Sequence, residues 1–89
     1  MACWKIVARG RVQGVNFRSE AKKIAGEMRL SGFVRNAVDG SVEIECSCSK
    51  EELALFAEKI KKLDWLVKVE SLEITPAAEK KFDGFSIAR

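Results

Sequence analysis

Two stretches of helical repeat sit between runs of alternating apolar and polar residues, and that order sets what the chain can become. Residues 3–9 alternate, with Trp4, Ile6 and Ala8 on one side and Lys5, Val7 and Arg9 on the other, which predicts a strand. Ala21, Ile24, Ala25 and Met28 then recur at i, i+3, i+4 and i+7, with Glu20, Lys22, Lys23 and Glu27 facing away. That spacing predicts an amphipathic helix of about ten residues, stopping before Ser31-Gly32. Phe33-Val34-Arg35-Asn36 reads as a short second strand, and Asp39-Gly40 is a strong hairpin signal. Val42, Ile44, Cys46 and Cys48 alternate with Ser41, Glu43, Glu45 and Ser47, the clearest strand in the chain, with one face buried and one wet.

Ser49-Lys50-Glu51-Glu52 has the form of a capping box, in which the serine hydroxyl accepts from the third amide while Glu52 reaches back. Leu53, Phe56, Ala57, Ile60 and Leu63 trace the inner face of the helix it opens. Val67, Val69, Leu72 and Ile74 give a fourth strand, ended by Thr75-Pro76. Residues 77–84 read as a charged loop closing on Gly84, and Phe85-Ser86-Ile87-Ala88 as a short fifth edge strand. The order is therefore β-α-β-β-α-β with a short β appended. This is the α+β class in its ferredoxin-like, split-βαβ form, with two helices on one face of a mainly antiparallel sheet. A length of 89 residues fits one domain with one core, residues 1–89.

The topology has a consequence for function. Two strands joined through one helix run parallel, with the third strand inserted between them, so their C-terminal ends share one edge of the sheet. At the first end lies Gly10-Arg11-Val12-Gln13-Gly14-Val15-Asn16-Phe17-Arg18, and at the second lies Asn36. Glycines let successive N–H groups converge on one point, and a helix N-terminus adds unpaired N–H groups and a partial positive charge. Arg18, in the first helical turn, supplies a permanent charge and a planar fork suited to two oxygens of a phosphate or carboxylate. Taken alone, this stretch fits either an anion cradle or an ordinary strand-to-helix connection with a solvated arginine, and Asn36 alone fits a turn former.

Composition removes several chemistries. There is no histidine and no tyrosine, so Ser-His-Asp and Cys-His nucleophiles, imidazole acid–base catalysis and histidine-ligated metals are all excluded. Cys46 and Cys48 stand two apart on one strand face, with Cα atoms about 6.5 Å apart at strand rise, an awkward span for a disulfide. With Cys3 they read as buried, reduced core residues, and no metal or other cofactor is expected. Sixteen Lys and Arg against thirteen Asp and Glu leave +3, spread without a basic block, which suits small anions and does not argue for nucleic acid. The exposed residues of the third strand, Ser41, Glu43, Glu45 and Ser47, also argue against an RNA-binding sheet of the RRM kind. No apolar run approaches the ~18 residues of a membrane span and no signal segment opens the chain, so a cytoplasmic monomer is expected. Trp4 and Trp65 read as packing residues, Arg35 as solvated on the face opposite Asn36, and Lys22, Lys23, Lys61, Lys62, Lys80 and Lys81 as exposed.

Gly-Arg-Val-Gln-Gly-Val-Asn-Phe-Arg at 10–18, followed by Gly-Phe-Val-Arg-Asn at 32–36 and Asp-Gly-Ser-Val-Glu at 39–43, resembles the acylphosphatase family. The likeness extends over nearly the whole chain, to the closing Phe82-Asp83-Gly84-Phe85-Ser86-Ile87. It implies a small hydrolase that splits the carboxyl–phosphate bond of acyl phosphates without a metal. By the same resemblance, Arg18 matches the phosphate-binding arginine and Asn36 the asparagine that positions water. The backbone amides of Gln13, Gly14, Val15, Asn16 and Phe17 match the rest of the cradle. Three departures are visible: Asn16 stands at a position that varies among members, Phe33 replaces a frequent tryptophan, and Met28-Arg29-Leu30 replaces a common Leu-Gly-Leu at the helix end. A related domain also occurs fused within a larger hydrogenase-maturation protein, and the lack of such an extension here favours a free-standing enzyme. The competing expectation is a phosphate- or carbamoyl-phosphate-binding domain that keeps the cradle without turnover.

Overall fold

A computed structural model describes residues 2–63 and 67–88. The elements run β1 (Cys3–Arg11), α1 (Phe17–Glu27), β2 (Ser31–Asn36), β3 (Val42–Ser47), α2 (Lys50–Lys61), β4 (Lys68–Ala77) and β5 (Phe85–Ile87). They form one sheet in the order β4-β1-β3-β2-β5. Every pairing is antiparallel except β2 with β5. This is the ferredoxin-like split βαβ, with β3 inserted between β1 and β2. Ala8 and Asn36 both pair with Val42, from opposite sides, so the ends of β1 and β2 lie in one row. At ordinary strand spacing their Cα atoms are about 10 Å apart.

Both helices cover the face that carries Ile6, Ala8, Val34, Val42, Ile44 and Cys46, and Phe17, Ala21, Ala25, Phe56 and Ile60 close the core against it. Trp4 packs at its margin, its indole Nε1 donating to the Cys48 carbonyl at 3.2 Å; Trp65 lies outside the described residues. All three cysteines are free and buried. Cys3 is buried on the other face, where residues 78–82 cross the sheet and the Lys80 N–H meets its sulfur at 3.4 Å. Ion pairs run across that face beside Val7 and Phe33, with Glu43 holding Lys5 at 3.6 Å and Arg35 at 2.7 Å, and Glu45 holding Lys80 at 2.9 Å. Arg35 is exposed as expected, yet it is engaged, lying 5.9 Å from the centroid of the Phe33 ring as well. No helix among the described residues is long and apolar enough to cross a membrane.

The element boundaries differ from the sequence reading in ways that have physical causes. β1 runs two residues into the expected glycine loop, because Gly10 and Arg11 still pair with β4. The register shifts between Arg9, opposite Ser71, and Gly10, opposite Val69, leaving Glu70 as an extra residue. This bulge explains why the apolar positions change phase, from Val67 just before β4 and Val69 within it to Leu72 and Ile74. Gly10 has φ +126°, and a Cβ there would stand 2.2 Å from the Lys68 carbonyl oxygen, so only glycine fits. β4 also continues past Thr75-Pro76 to Ala77, since an edge strand has one side on which a missing N–H costs nothing.

Both helix ends are built by capping chemistry. The capping box at Ser49 is present, with Glu52 N–H to Ser49 Oγ at 3.2 Å and Ser49 N–H to Glu52 Oε1 at 2.9 Å. α1 ends in a Schellman motif, the Leu30 N–H donating to the Ala25 carbonyl at 2.9 Å and the Arg29 N–H to the Gly26 carbonyl at 3.1 Å. Arg29 takes the left-handed position, φ 58°, where glycine would be unstrained.

Candidate active site

The loop between β1 and α1 shrinks to residues 12–16, and its shape follows from two left-handed residues. Gly14 has φ 73° and Asn16 φ 66°, with Val15 between them on the ordinary side. Alternation of this kind turns successive N–H groups to one side and makes an anion-binding concavity. Glycine adopts that conformation freely, and asparagine tolerates it better than other side chains, which accounts for Asn16. Among the described residues the N–H groups of residues 13–19 meet no protein acceptor, and the first to find one is Glu20, at 3.0 Å from the Asn16 carbonyl. Among the described residues, then, no protein acceptor competes with a ligand for the donors of the loop and of the first helical turn.

These groups surround a cavity of about 250 Å³ lined by Val12, Gly14, Asn16, Phe17, Arg18, Ser19 and Ile87. Among the described residues that line it there is no carboxylate. Arg9 pairs with Asp39 and Glu73, and Arg35 pairs with Glu43, whereas Arg18 holds no carboxylate among the described residues. Its charge is uncommitted beside an array of free N–H donors. A larger cleft, about 520 Å³, lies at the far end of the sheet against residues 79–82. Its Lys80 is already paired with Glu45, and no helix N-terminus opens onto it, so volume does not mark the site.

Asn36 ends β2 on the helix-bearing face, in the row with Ala8 and Val42. Its side-chain oxygen is buried without a hydrogen-bond partner. An acceptor left in that state costs about 1–3 kcal/mol, a cost that a bound water or substrate proton would remove. Asn36 lines a neighbouring cleft with Arg35, Ala37, Val38 and Glu43 rather than the cradle cavity itself. The link between the two is the Gln13 side chain, whose Nε2 donates to the carbonyls of Ala37 and Ser41, each at 2.8 Å. Within the turn, Asp39 accepts from the Ser41 N–H at 3.0 Å and hydroxyl at 2.6 Å. Those two bonds, with Arg9 beside it, hold the Asp39 carboxyl down to about 2.

Of the residues singled out from the sequence, Gly14, Asn16, Phe17 and Arg18 line one cavity, while Gln13 and Val15 contribute to the loop without lining it. Two residues escaped sequence reasoning. Ile87, 40% exposed, forms a wall of the cradle because β5 lies beside β2 and α1. The Gln13 side chain reaches residues 24 and 28 positions away, contacts no local periodicity encodes.

An arginine and a fan of free amides on one helix N-terminus, beside an asparagine at the same sheet edge, is also the ground of the likeness noted above. The acylphosphatase family model matches residues 4–87. The chain belongs to the acylphosphatase family. An acylphosphatase of Thermus thermophilus is 40% identical over 81 residues, covering 91% of this chain and 92% of that one. The crystal structure of the acylphosphatase from Bacillus subtilis superposes with a TM-score of 0.93 at 33% identity, covering both chains completely. HypF from T. kodakarensis contains a similar part, with a TM-score of 0.82 and 32% identity over 98% of this chain and 12% of its own. Membership makes this chain an enzyme of the acylphosphatase class, a hydrolase.

Proposed function

We propose that the chain, residues 1–89 acting as one domain, hydrolyses acyl phosphates by direct attack of water on phosphorus. The observation that carries this reading is that, among the described residues, Arg18 holds no carboxylate and the N–H groups of residues 13–19 beside it meet no acceptor. Arg18 and the amides of Gln13, Gly14, Val15, Asn16 and Phe17 bind the phosphoryl oxygens, and their charge grows more complementary as the transition state spreads negative charge over those oxygens. Asn36, with one acceptor oxygen and one donor amide, orients the water. The bond from water oxygen to phosphorus forms as the bond from phosphorus to the acyl oxygen breaks. The leaving group departs as a carboxylate and needs no proton, so a general acid is dispensable and histidine is not missed. The water proton passes to the phosphate product or to solvent. No metal or other cofactor takes part, and the working form is a cytoplasmic monomer whose only partner is its small-molecule substrate, with no nucleic acid or membrane involved.

Hydrolysis of benzoyl phosphate in the presence of a chelator, by wild type, Arg18→Ala and Asn36→Ala, tests this reading. Each substitution is expected to lower the rate by about 10²–10³ in a folded protein, as loss of one oxyanion-type donor does. A folded wild type that binds inorganic phosphate and turns over no acyl phosphate would leave a phosphate- or carbamoyl-phosphate-binding domain instead.

A further inference from the structure

We infer that the Gln13 side chain is a positioning residue that fixes the distance between the phosphate cradle and Asn36. The inference rests on the hydrolytic reading above and adds a role that the backbone amide of Gln13 does not fill. Its side-chain nitrogen has two protons, and both are used, one on the Ala37 carbonyl and one on the Ser41 carbonyl, at 2.8 Å each. Each of those carbonyls takes a second bond from within the hairpin, Ala37 O from the Gly40 N–H at 3.2 Å and Ser41 O from the Ala37 N–H at 2.8 Å. Four hydrogen bonds thus close the neck of the β2–β3 hairpin, using both protons of the Gln13 nitrogen and two bonds to each of the two carbonyls.

A shift of the Gln13 nitrogen would leave one of its donors unpaired in a half-buried site, which favours this one arrangement. Ala37, at its centre, is the residue next to Asn36, so their Cα atoms are one peptide unit apart. The β1–β3 ladder ends at Ala8 opposite Val42, short of the loop, and the other side-chain tether from β1 to the hairpin, Arg9 to Asp39 at 3.0 Å, is exposed and correspondingly weak. Beyond the end of that ladder, Gln13 is the part-buried side-chain connection from the loop that holds phosphate to the strand end that holds water. The Asn36 oxygen, buried and without a partner of its own, depends on that connection for its placement.

The test is a double-mutant cycle of Gln13→Leu with Asn36→Ala, read as kcat and KM for benzoyl phosphate and as competitive inhibition by inorganic phosphate. Misplacing a catalytic group by an ångström costs up to about 10²-fold, so Gln13→Leu is expected to lower kcat by about 10- to 100-fold. In the Asn36→Ala background the same substitution should cost no more than about twofold, because the group it positions is already gone. Inhibition by phosphate should change by no more than about twofold, since the backbone amides remain. Gln13→Asn, which keeps the amide and shortens the reach, should behave like Gln13→Leu and guards against a folding defect. Equal losses in both backgrounds, or phosphate binding that falls in step with kcat, would make Gln13 a structural support of the cradle and overturn the inference. A kcat unchanged in an active enzyme would overturn it too, whereas an inactive wild type would instead remove the hydrolytic reading.

Discussion

The Arg9 guanidinium and the Asp39 carboxylate meet at 3.0 Å, joining β1 to the hairpin that follows Asn36. Asp39 is held near 2 against 3.8 for an ordinary aspartate, chiefly by the Ser41 hydroxyl, then by the Ser41 N–H and Arg9. Because the folded-state pKa is the lower one, its contribution to stability is present above about pH 4 and is lost as pH falls through about 2. Glu43 is shifted in the same direction, first by its bond to Arg35, and loses its contribution on the same acid side. Acid unfolding of wild type and Asp39→Asn should therefore differ at neutral pH and converge toward pH 2. Two parallel curves across that window would show that the carboxylate contributes nothing.

Arg29 is held at φ 58° in the C-terminal cap of α1. A left-handed non-glycine residue costs about 1–2 kcal/mol, while a cation at a helix C-terminus returns about 0.3–1 kcal/mol. The backbone strain outweighs what the charge returns, so Arg29→Gly should stabilise the protein by about 0.5–1 kcal/mol, a rise of a few degrees in Tm. Urea unfolding with an unchanged m-value would check it, and a loss of stability would contradict it.

The two glycines of the 10–18 stretch have different jobs and should respond differently to alanine. At Gly10 a Cβ would lie 2.2 Å from the Lys68 oxygen and 2.8 Å from the Glu70 nitrogen, both backbone atoms. Gly10→Ala must push β4 away and should cost about 3 kcal/mol. Gly14 has open space around it, so Gly14→Ala should cost only about 1 kcal/mol of backbone strain, and its main effect should be weaker inhibition by inorganic phosphate. Equal destabilisation by the two would contradict this division.

Cys46 and Cys48 lie with their sulfurs 3.9 Å apart inside the core. Burial pushes both thiols up, Cys46 the further, so neither supplies a thiolate at neutral pH. Alkylation followed by mass spectrometry should leave both unmodified in the native protein and modify both in denaturant. Fast labelling of either in the folded state would contradict their burial.

Much of this structure is legible in the sequence because it rests on short-range repeats. The alternation of Val42, Ile44, Cys46 and Cys48 and the 3-4 spacing of Leu53, Phe56, Ala57 and Ile60 are set by which face must leave water. That the ends of β1 and β2 share one sheet edge follows from topology once β3 is placed between them, while Arg18 and Asn36 line neighbouring clefts at that edge. What was not legible depends on partners distant in the chain. The role of Gly10 is decided by Lys68 and Glu70 across the sheet, and the phase change within β4 reads as noise until that bulge is known. The Gln13 tether and the Ile87 wall likewise come from loops and strands that meet only in the folded molecule.

The central claim is that water attacks phosphorus, and hydrolysis of an acyl phosphate in ¹⁸O-labelled water tests it most directly. Attack on phosphorus predicts the label in inorganic phosphate and none in the carboxylate. Label in the carboxylate would mean attack on the acyl carbon, a reaction for which a cradle built around the phosphoryl oxygens and an Asn36-held water gives no account.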